Sequence, residues 1–287
     1  MTTGPKTLAE AVDEVEKILC NSQIQNHRAE SRLLIEHVTG VPRSRIVGFP
    51  DIKLDENIWN GILSLANRRA QHEPIAYLTG EKEFWSNSFI VSSETLIPRP
   101  DSEVLIDSVL DFIKDHEASM RILDLGSGSG CLLGALLREF KNSYGIGIEI
   151  NEGASSIARQ NMAKLGFSTR SAIMVGDWGQ SIDGDFDIIV CNPPYIPSQD
   201  IETLDLCIKQ FEPRVAIDGG EDGLAAYRIL SQQLPLLLKP SGVAAVEFGI
   251  EQCKAVIQLF ENADLIICQI SHDLASQERC LLATVSN

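Results

Sequence analysis

Seven short apolar runs after residue 120, most of them parted by helix-length segments, constrain this chain more than any other feature. They fall at 121–125, 144–148, 171–175, 186–191, 242–248, 265–270 and 280–285, with the shorter gap before the last. Short continuous apolar runs that alternate with helices read as strands buried on both faces. Such strands build a mostly parallel sheet with helices packed on each side, an α/β architecture. The 287 residues suffice for one large domain and a small one, and 44% hydrophobic with 22% charged residues is an ordinary globular composition.

The first eighty residues read differently. Leu8, Val12, Val15 and Leu19 recur on one helical face; Leu33, Leu34 and Val38 mark a second helix, stopped by Gly40 and Pro42. Ile58, Ile62, Leu65 and Arg69 sit on a third, ending before Pro74. No period-two alternation appears, so 1–80 is expected to be a small helical domain. Residues 81–100 carry β-prone Phe84, Trp85, Phe89, Ile90 and Val91 around Ser-Asn-Ser, which reads as a hairpin or extended linker. Pro100 then starts a helix through about Lys114, and residues 101–287 form the α/β domain.

Within that domain, Arg121-Ile-Leu-Asp-Leu-Gly-Ser-Gly-Ser-Gly130 is a strand, a glycine-rich turn and the start of a helix. Gly126, Gly128 and Gly130 permit positive φ and close approach of a ligand to backbone N–H groups at a helix N-terminus. The spacing is neither the dinucleotide fingerprint nor a P-loop. Glu149 closes the next strand, where a carboxylate can accept both hydroxyls of a ribose. Gly176-Asp177-Trp178 closes the third: Asp177 can accept from an adenine amino group and Trp178 can stack on the ring, or the pair can be a loop acid and a packing indole. Carboxylates without a phosphate grip suit a cationic sulfonium nucleoside better than a dinucleotide.

The fourth strand, Phe186–Cys191, runs into Asn192-Pro193-Pro194-Tyr195-Ile196-Pro197. Prolines there end the ladder and fix the backbone. An amide or ring-conjugated nitrogen is a poor nucleophile because its lone pair is delocalised. The Asn192 side-chain oxygen and the Pro193 carbonyl can accept its two N–H groups, orienting the nitrogen and stabilising charge as it attacks a methyl group. Pro194 presents no competing N–H, and Tyr195 offers a ring face for stacking. This chemistry needs neither a histidine base nor a metal. The seven scattered cysteines and five histidines accordingly show no disulfide framework or metal-ligand spacing.

Charge narrows the acceptor. The chain carries a net −16, of which residues 81–287 hold 15 basic and 30 acidic side chains. Phosphate backbones are repelled by such a half, so no direct nucleic-acid binding is expected, and DNA adenine methylation is the weaker reading of the Asn-Pro-Pro-Tyr motif. No apolar run reaches bilayer length, and the N-terminal residues lack both signal-peptide and transit-peptide character. A reducing cytoplasmic setting is expected.

Taken in order, DLGSGSG, Glu149, GDW and NPPY resemble a class I (Rossmann-like) methyltransferase of the amino-group type. Four further segments are similar to the HemK/PrmC family of protein-(glutamine-N5) methyltransferases: Tyr77–Phe84, Leu96–Glu103, Phe211–Gly223 and His272–Arg279. That resemblance covers nearly the whole chain. It implies a seven-stranded sheet with an antiparallel last strand. It also implies S-adenosylmethionine as methyl donor, S-adenosylhomocysteine as product, and the glutamine of the release-factor Gly-Gly-Gln loop as acceptor. It places the cofactor on Gly126, Ser127, Gly128, Ser129, Gly130, Glu149, Trp178 and, less directly, Asp177. Asn192, Pro193, Pro194 and Tyr195 hold the glutamine amide, with Asn192 also at the cofactor. Glu149 stands where Asp is commoner, and Ser127 and Ser129 where Thr is frequent. Related ribosomal-protein glutamine methyltransferases carry a different turn after Ile-Pro-Arg, so Pro-Asp-Ser-Glu favours the release factor. Arg99 can touch the substrate loop, brace the NPPY turn or form a linker ion pair. Phe211–Gly223 reads as a scaffold beside the site, and Glu247 as structural or a distant wall.

Overall fold

Each of the seven apolar runs forms a strand of one sheet in the computed structural model, which describes residues 7–180 and 182–286. The described chain divides into two units: residues up to Gly80 together with Asp205–Phe211, and Glu81–Leu204 with Glu212 onward.

The first unit contains α1 (Leu8–Asn21), α2 (His27–Thr39), α3 (Arg43–Gly48), α4 (Glu56–Ala70) and α5 (Ile75–Thr79). Thr7 starts α1 with a reciprocal capping box: the Glu10 N–H donates to Thr7 Oγ1 at 3.3 Å, and the Thr7 N–H to Glu10 Oε2 at 3.2 Å. Asp55 caps α4 through the Ile58 N–H at 2.8 Å, and α2 ends on left-handed Gly40. Leu8, Val15, Leu19, Leu34, Ile35 and Ile62 are fully buried between these helices. Arg69 is also buried, and the Glu30 carboxylate neutralises it, since an unpaired charge there would be costly. α3 and α5 are too short to show periodicity in the sequence.

The second unit opens with β1 (Glu81–Phe84) and β2 (Asn87–Ile90), an antiparallel hairpin. Its two turn residues, Trp85 (φ 48°) and Ser86 (φ 54°), adopt a conformation normally left to Gly or Asn. Tertiary bonds hold it: the Trp85 N–H donates to Glu103 Oε1 and its indole N–H to Glu139 Oε1, both at 2.8 Å. Phe84 and Phe89 meet edge to face beneath the turn and are buried in the main core.

A 3₁₀ turn at Pro100–Ser102 leads into α6 (Glu103–Phe112), two residues shorter than the sequence suggested. The alternation then follows as β3 (Arg121–Leu125), α7 (Cys131–Glu139), β4 (Tyr144–Glu149), α8 (Glu152–Lys164), β5 (Ser171–Val175) and β6 (Phe186–Cys191). After α9 (Leu206–Phe211) come α10 (Ala225–Leu237), β7 (Leu238–Glu247), α11 (Cys253–Glu261), β8 (Leu265–His272) and β9 (Glu278–Val285). The strand order is β5-β4-β3-β6-β7-β9-β8; β9 runs antiparallel to both its neighbours. One apolar cluster packs α6, α7 and α8 on one face, and another packs α10 and α11 on the other. From β3 the chain turns to β4 on one side and later to β6 on the other. The carboxyl ends of β3 and β6 therefore flank a topological switch point, where open α/β sheets bind ligands.

Candidate active site

At that switch point the loops after β3, β4, β5 and β6 enclose a cavity of about 270 Å³. Gly126 (φ 73°) and Gly128 (φ 52°) form its floor, and a Cβ on Gly128 would meet nothing within 4 Å, so the loop surface faces open space. Positive φ at these positions is what excludes other residues. The Gly126 and Ser127 N–H groups donate to the Ile148 carbonyl at 2.9 and 3.0 Å, which pins the loop to β4. Buried Asn161 braces it from below, donating to the Ser129 carbonyl at 2.9 Å while bonding both backbone groups of Ile90.

Glu149 enters from the end of β4. Its Oε2 accepts the Gly128 N–H at 2.8 Å and its Oε1 the Asn151 N–H at 2.9 Å. A carboxylate has about four acceptor positions, so two backbone donors orient the group and leave capacity toward the cavity. Ile150 and Val215 remain 54% and 51% exposed on the cavity wall, and Trp178 lines it with φ 51°. Among the described residues lining the cavity are four acids (Glu94, Glu149, Asp177 and Asp218) and no Lys, Arg or His. A carboxylate with spare acceptor capacity, apolar walls and an acidic rim with no cation among the described lining residues fit a positively charged nucleoside. They do not fit a phosphate.

Asn192 and Pro194 line the same cavity directly after β6. Asn192 Nδ2 donates to Ser102 Oγ at 3.0 Å. Tyr195 is turned from the cavity: its hydroxyl donates to Glu247 Oε1 at 3.4 Å, and burial raises its pKa well above the ordinary phenol value. Pro193 is buried. The turn's backbone is clamped from the Phe211–Gly223 segment and from Gln252 at the start of α11. Ile196 N–H donates to the Ile217 carbonyl at 3.1 Å, Gly219 N–H to Ile196 at 2.8 Å, and Gln252 Nε2 to the Tyr195 carbonyl at 2.9 Å. Asp218 organises that segment, accepting from the Ser198 hydroxyl at 2.6 Å and the Gly220 N–H at 3.0 Å. These bonds hold its carboxyl below the usual range.

The structure thus brings Gly126, Gly128, Glu149, Asp177, Trp178, Asn192 and Pro194 to one cavity. Ser127, Ser129 and Gly130 lie behind the loop surface and are buried. Arg99 is paired with Glu212, which also receives the Ile97 N–H at 3.4 Å, so the Leu-Ile-Pro-Arg strap is tied to the head of the Phe211–Gly223 segment. Burial raises the Glu212 carboxyl, and Arg99 works against that.

Known families and proteins resemble this chain over most of its length. A family described as the PrmC N-terminal domain matches residues 10–80, and a methyltransferase domain family matches residues 116–286. A release factor glutamine methyltransferase of Rhodospirillum rubrum is 41% identical over 260 residues, covering 91% of this chain and 79% of that protein. One from Caulobacter vibrioides is 39% identical, covering 96% of each. The chain belongs to the release factor glutamine methyltransferase family. It is therefore an S-adenosylmethionine-dependent methyltransferase, and the cavity described above has the chemistry its cofactor requires. A methyltransferase from Pyrococcus furiosus shares the fold, with TM-score 0.54 at 16% identity over 77% of this chain and all of that one.

Sequence reasoning in this methyltransferase missed the cavity's apolar walls. Ile150 carries a weak signal, as the apolar residue just past a strand-ending acid. Val215 carries none, because only the fold of 211–223 brings it to the cavity. Asp124 carries no signal in the sequence beyond its place in the strand: it is fully buried beneath the loop, one oxygen accepting the Leu133 N–H at 3.3 Å and the other without a partner among the described residues. Burial pushes its carboxyl up to about 7.

Proposed function

We propose that this protein transfers the methyl group of S-adenosylmethionine to the side-chain amide nitrogen of the glutamine in the Gly-Gly-Gln loop of peptide chain release factors, in the cytoplasm. The observation that carries the reading is the seat of Asn192 and Pro194 on the wall of an acidic cavity floored by Gly126 and Gly128. S-adenosylmethionine, when bound, supplies an electrophilic methyl on a sulfonium. Glu149 holds the ribose hydroxyls, Ile150, Val215 and Trp178 enclose the adenine, and Asp177 accepts from its amino group. The glycine loop lets the rest of the molecule lie against backbone.

Asn192 and Pro193 then hold the acceptor. The Asn192 side-chain oxygen and the Pro193 carbonyl receive the two amide N–H groups, aligning the nitrogen lone pair with the methyl and stabilising the positive charge that develops on nitrogen. Tyr195 contributes through its place beside Glu247 and the stiff turn it closes. Arg99 keeps the preceding strap against the acceptor side through Glu212.

The test is methyl transfer from labelled S-adenosylmethionine to a release factor, to a release factor whose loop glutamine is replaced by Ala, to ribosomal protein and to unmethylated duplex DNA. Label on the intact release factor alone is expected. Label on DNA or ribosomal protein with none on the release factor overturns the proposal.

A further inference from the structure

Glu94 lines the cavity together with Glu149, yet the methyl-transfer scheme above gives it no task. A short turn fixes its backbone: the Thr95 N–H donates to the Ser92 carbonyl at 3.0 Å, and the Glu94 N–H to Ser92 Oγ at 3.2 Å. Its side chain reaches the start of α8, where Asn151 Nδ2 donates to Glu94 Oε2 at 3.2 Å. The backbone N–H of the same Asn151 donates to Glu149 Oε1 at 2.9 Å, while its Oδ1 accepts the Ala154 N–H at 3.2 Å and caps the helix. One capping residue thus gives a donor to each of two carboxylates.

Gly153, the second residue of α8, makes room for this arrangement. A Cβ there would stand 2.6 Å from Glu94 Oε2 and 2.8 Å from its Cδ and Cγ. Its backbone is helical, a conformation that alanine adopts more readily than glycine, so the missing side chain serves the seat of Glu94 and not the helix. The sheet also says which part of the cofactor Glu94 faces. β3 stands between β4 and β6, so the exits that carry Asn151 and Asn192 lie about 10 Å apart at ordinary strand spacing. Glu94 is therefore on the side of Glu149, away from the turn where the methyl group is transferred.

We propose that Glu94 is a second ribose carboxylate, sharing with Glu149 the cofactor hydroxyl that lies on the α8 side. The inference rests on the reading of Glu149 as the acceptor of the ribose hydroxyls. A carboxylate offers about four acceptor positions, and the Asn151 amide takes one on Glu94, so the group keeps acceptors to give. A hydroxyl has one proton, which two oxygens can share in a three-centre bond. Asn151 sets the spacing of the two carboxylates, and its two donors offset their mutual repulsion. Glu94 closes the ribose end of the cavity from the strap, as Glu149 holds it from the sheet.

The experiment is titration calorimetry with S-adenosylmethionine, S-adenosylhomocysteine and two S-adenosylhomocysteine analogues, each lacking one ribose hydroxyl. Wild type, Glu94→Ala, Gly153→Ala and the double variant are compared after a thermal melt confirms folding. Glu94→Ala should bind S-adenosylhomocysteine about three- to tenfold more weakly, a small loss for a bond to a charged group because the residue is exposed and the proton shared. S-adenosylmethionine should lose the same factor. With one analogue the substitution should cost nothing, which names the shared hydroxyl, and with the other it should cost the full factor. Gly153→Ala should reproduce the loss by pushing the carboxylate aside, melt no earlier than wild type, and add nothing to Glu94→Ala. Wild-type affinity in Glu94→Ala or in Gly153→Ala overturns the proposal, as does an equal loss with both analogues. A loss confined to S-adenosylmethionine overturns it too, since Glu94 would then be a counter-charge for the sulfonium. In each of these cases Glu149 keeps its role if wild type binds either analogue more weakly than S-adenosylhomocysteine. If wild type binds both analogues as tightly as S-adenosylhomocysteine, the ribose reading of Glu149 fails and Glu94 falls with it.

Discussion

Replacing Gly219 by alanine perturbs the acceptor side through the backbone of Tyr195, without altering any side chain assigned to the chemistry. A Cβ there would sit 2.8 Å from both the Cα and the carbonyl carbon of Tyr195 and 2.9 Å from the Gly223 Cα. All three are backbone atoms, so no flexible side-chain end can swing aside. Restoring an ordinary contact of about 3.4 Å requires the turn after β6 to move by roughly half an ångström. Overpacking of this kind costs about 1–3 kcal/mol of stability. A 1 Å misplacement of reacting groups can cost about a hundredfold in rate, so about half that displacement should cost roughly tenfold in kcat. Single-turnover transfer to release factor and calorimetric binding of S-adenosylhomocysteine separate the two effects. The expected result is kcat down about tenfold with cofactor affinity within about twofold. Gly61→Ala in α4 is the comparison: its new Cβ meets only Val38 Cγ1 at 3.3 Å, and it should leave kcat unchanged. If Gly219→Ala melts earlier yet turns over at the wild-type rate, the steric coupling of this glycine to the clamp is refuted.

Asn192→Ala should abolish turnover while leaving cofactor affinity within a few fold; collapse of S-adenosylhomocysteine binding would show that Asn192 serves the cofactor instead. Glu149→Ala removes a carboxylate that two backbone N–H groups orient and that is assigned two ribose hydroxyls. At about 1.5–3 kcal/mol for each bond to a charged group, cofactor affinity should fall at least about a hundredfold, and titration calorimetry showing less than a tenfold loss contradicts the assignment. Glu247 also predicts a pH effect on stability. Its folded carboxyl sits at about 7 against an ordinary 4.5, so the fold binds a proton the unfolded chain releases. That contribution, roughly 3 kcal/mol, is fully present below about pH 4.5 and lost as pH rises through about 7. Denaturant unfolding should show wild type losing stability relative to Glu247→Gln between about pH 5 and pH 8; a constant difference across that window counts against it.

Much of this was legible in the sequence because the relevant forces act locally. The period of apolar residues reports whether one face or both are buried, and it located all seven strands and the three long helices of the first unit. The glycines at 126, 128 and 130 were readable because their conformations, φ 73°, 52° and 78°, exclude side-chain-bearing residues. Asn192 and Pro194 were readable because a buried strand ending in Asn-Pro-Pro-Tyr has little use as a plain turn.

What the chain order could not reveal were partnerships across it. The Trp85-Ser86 turn lacks the residues its conformation prefers, because Glu103 and Glu139 hold it from distant positions. Arg99 had three open roles, and its pairing with Glu212 spans a separation of 113 positions. The hydroxyl of Tyr195 meets Glu247, 52 positions on, a partner that its place in the Asn-Pro-Pro-Tyr turn does not announce. By itself, then, the sequence determined the sheet and the glycine loop and Asn-Pro-Pro-Tyr turn that meet at the cavity, whose signals lie within a few neighbouring residues. Only the tertiary structure decided what that turn is braced against, because Ser102 meets Asn192 and Glu247 meets Tyr195 through sheet order and burial.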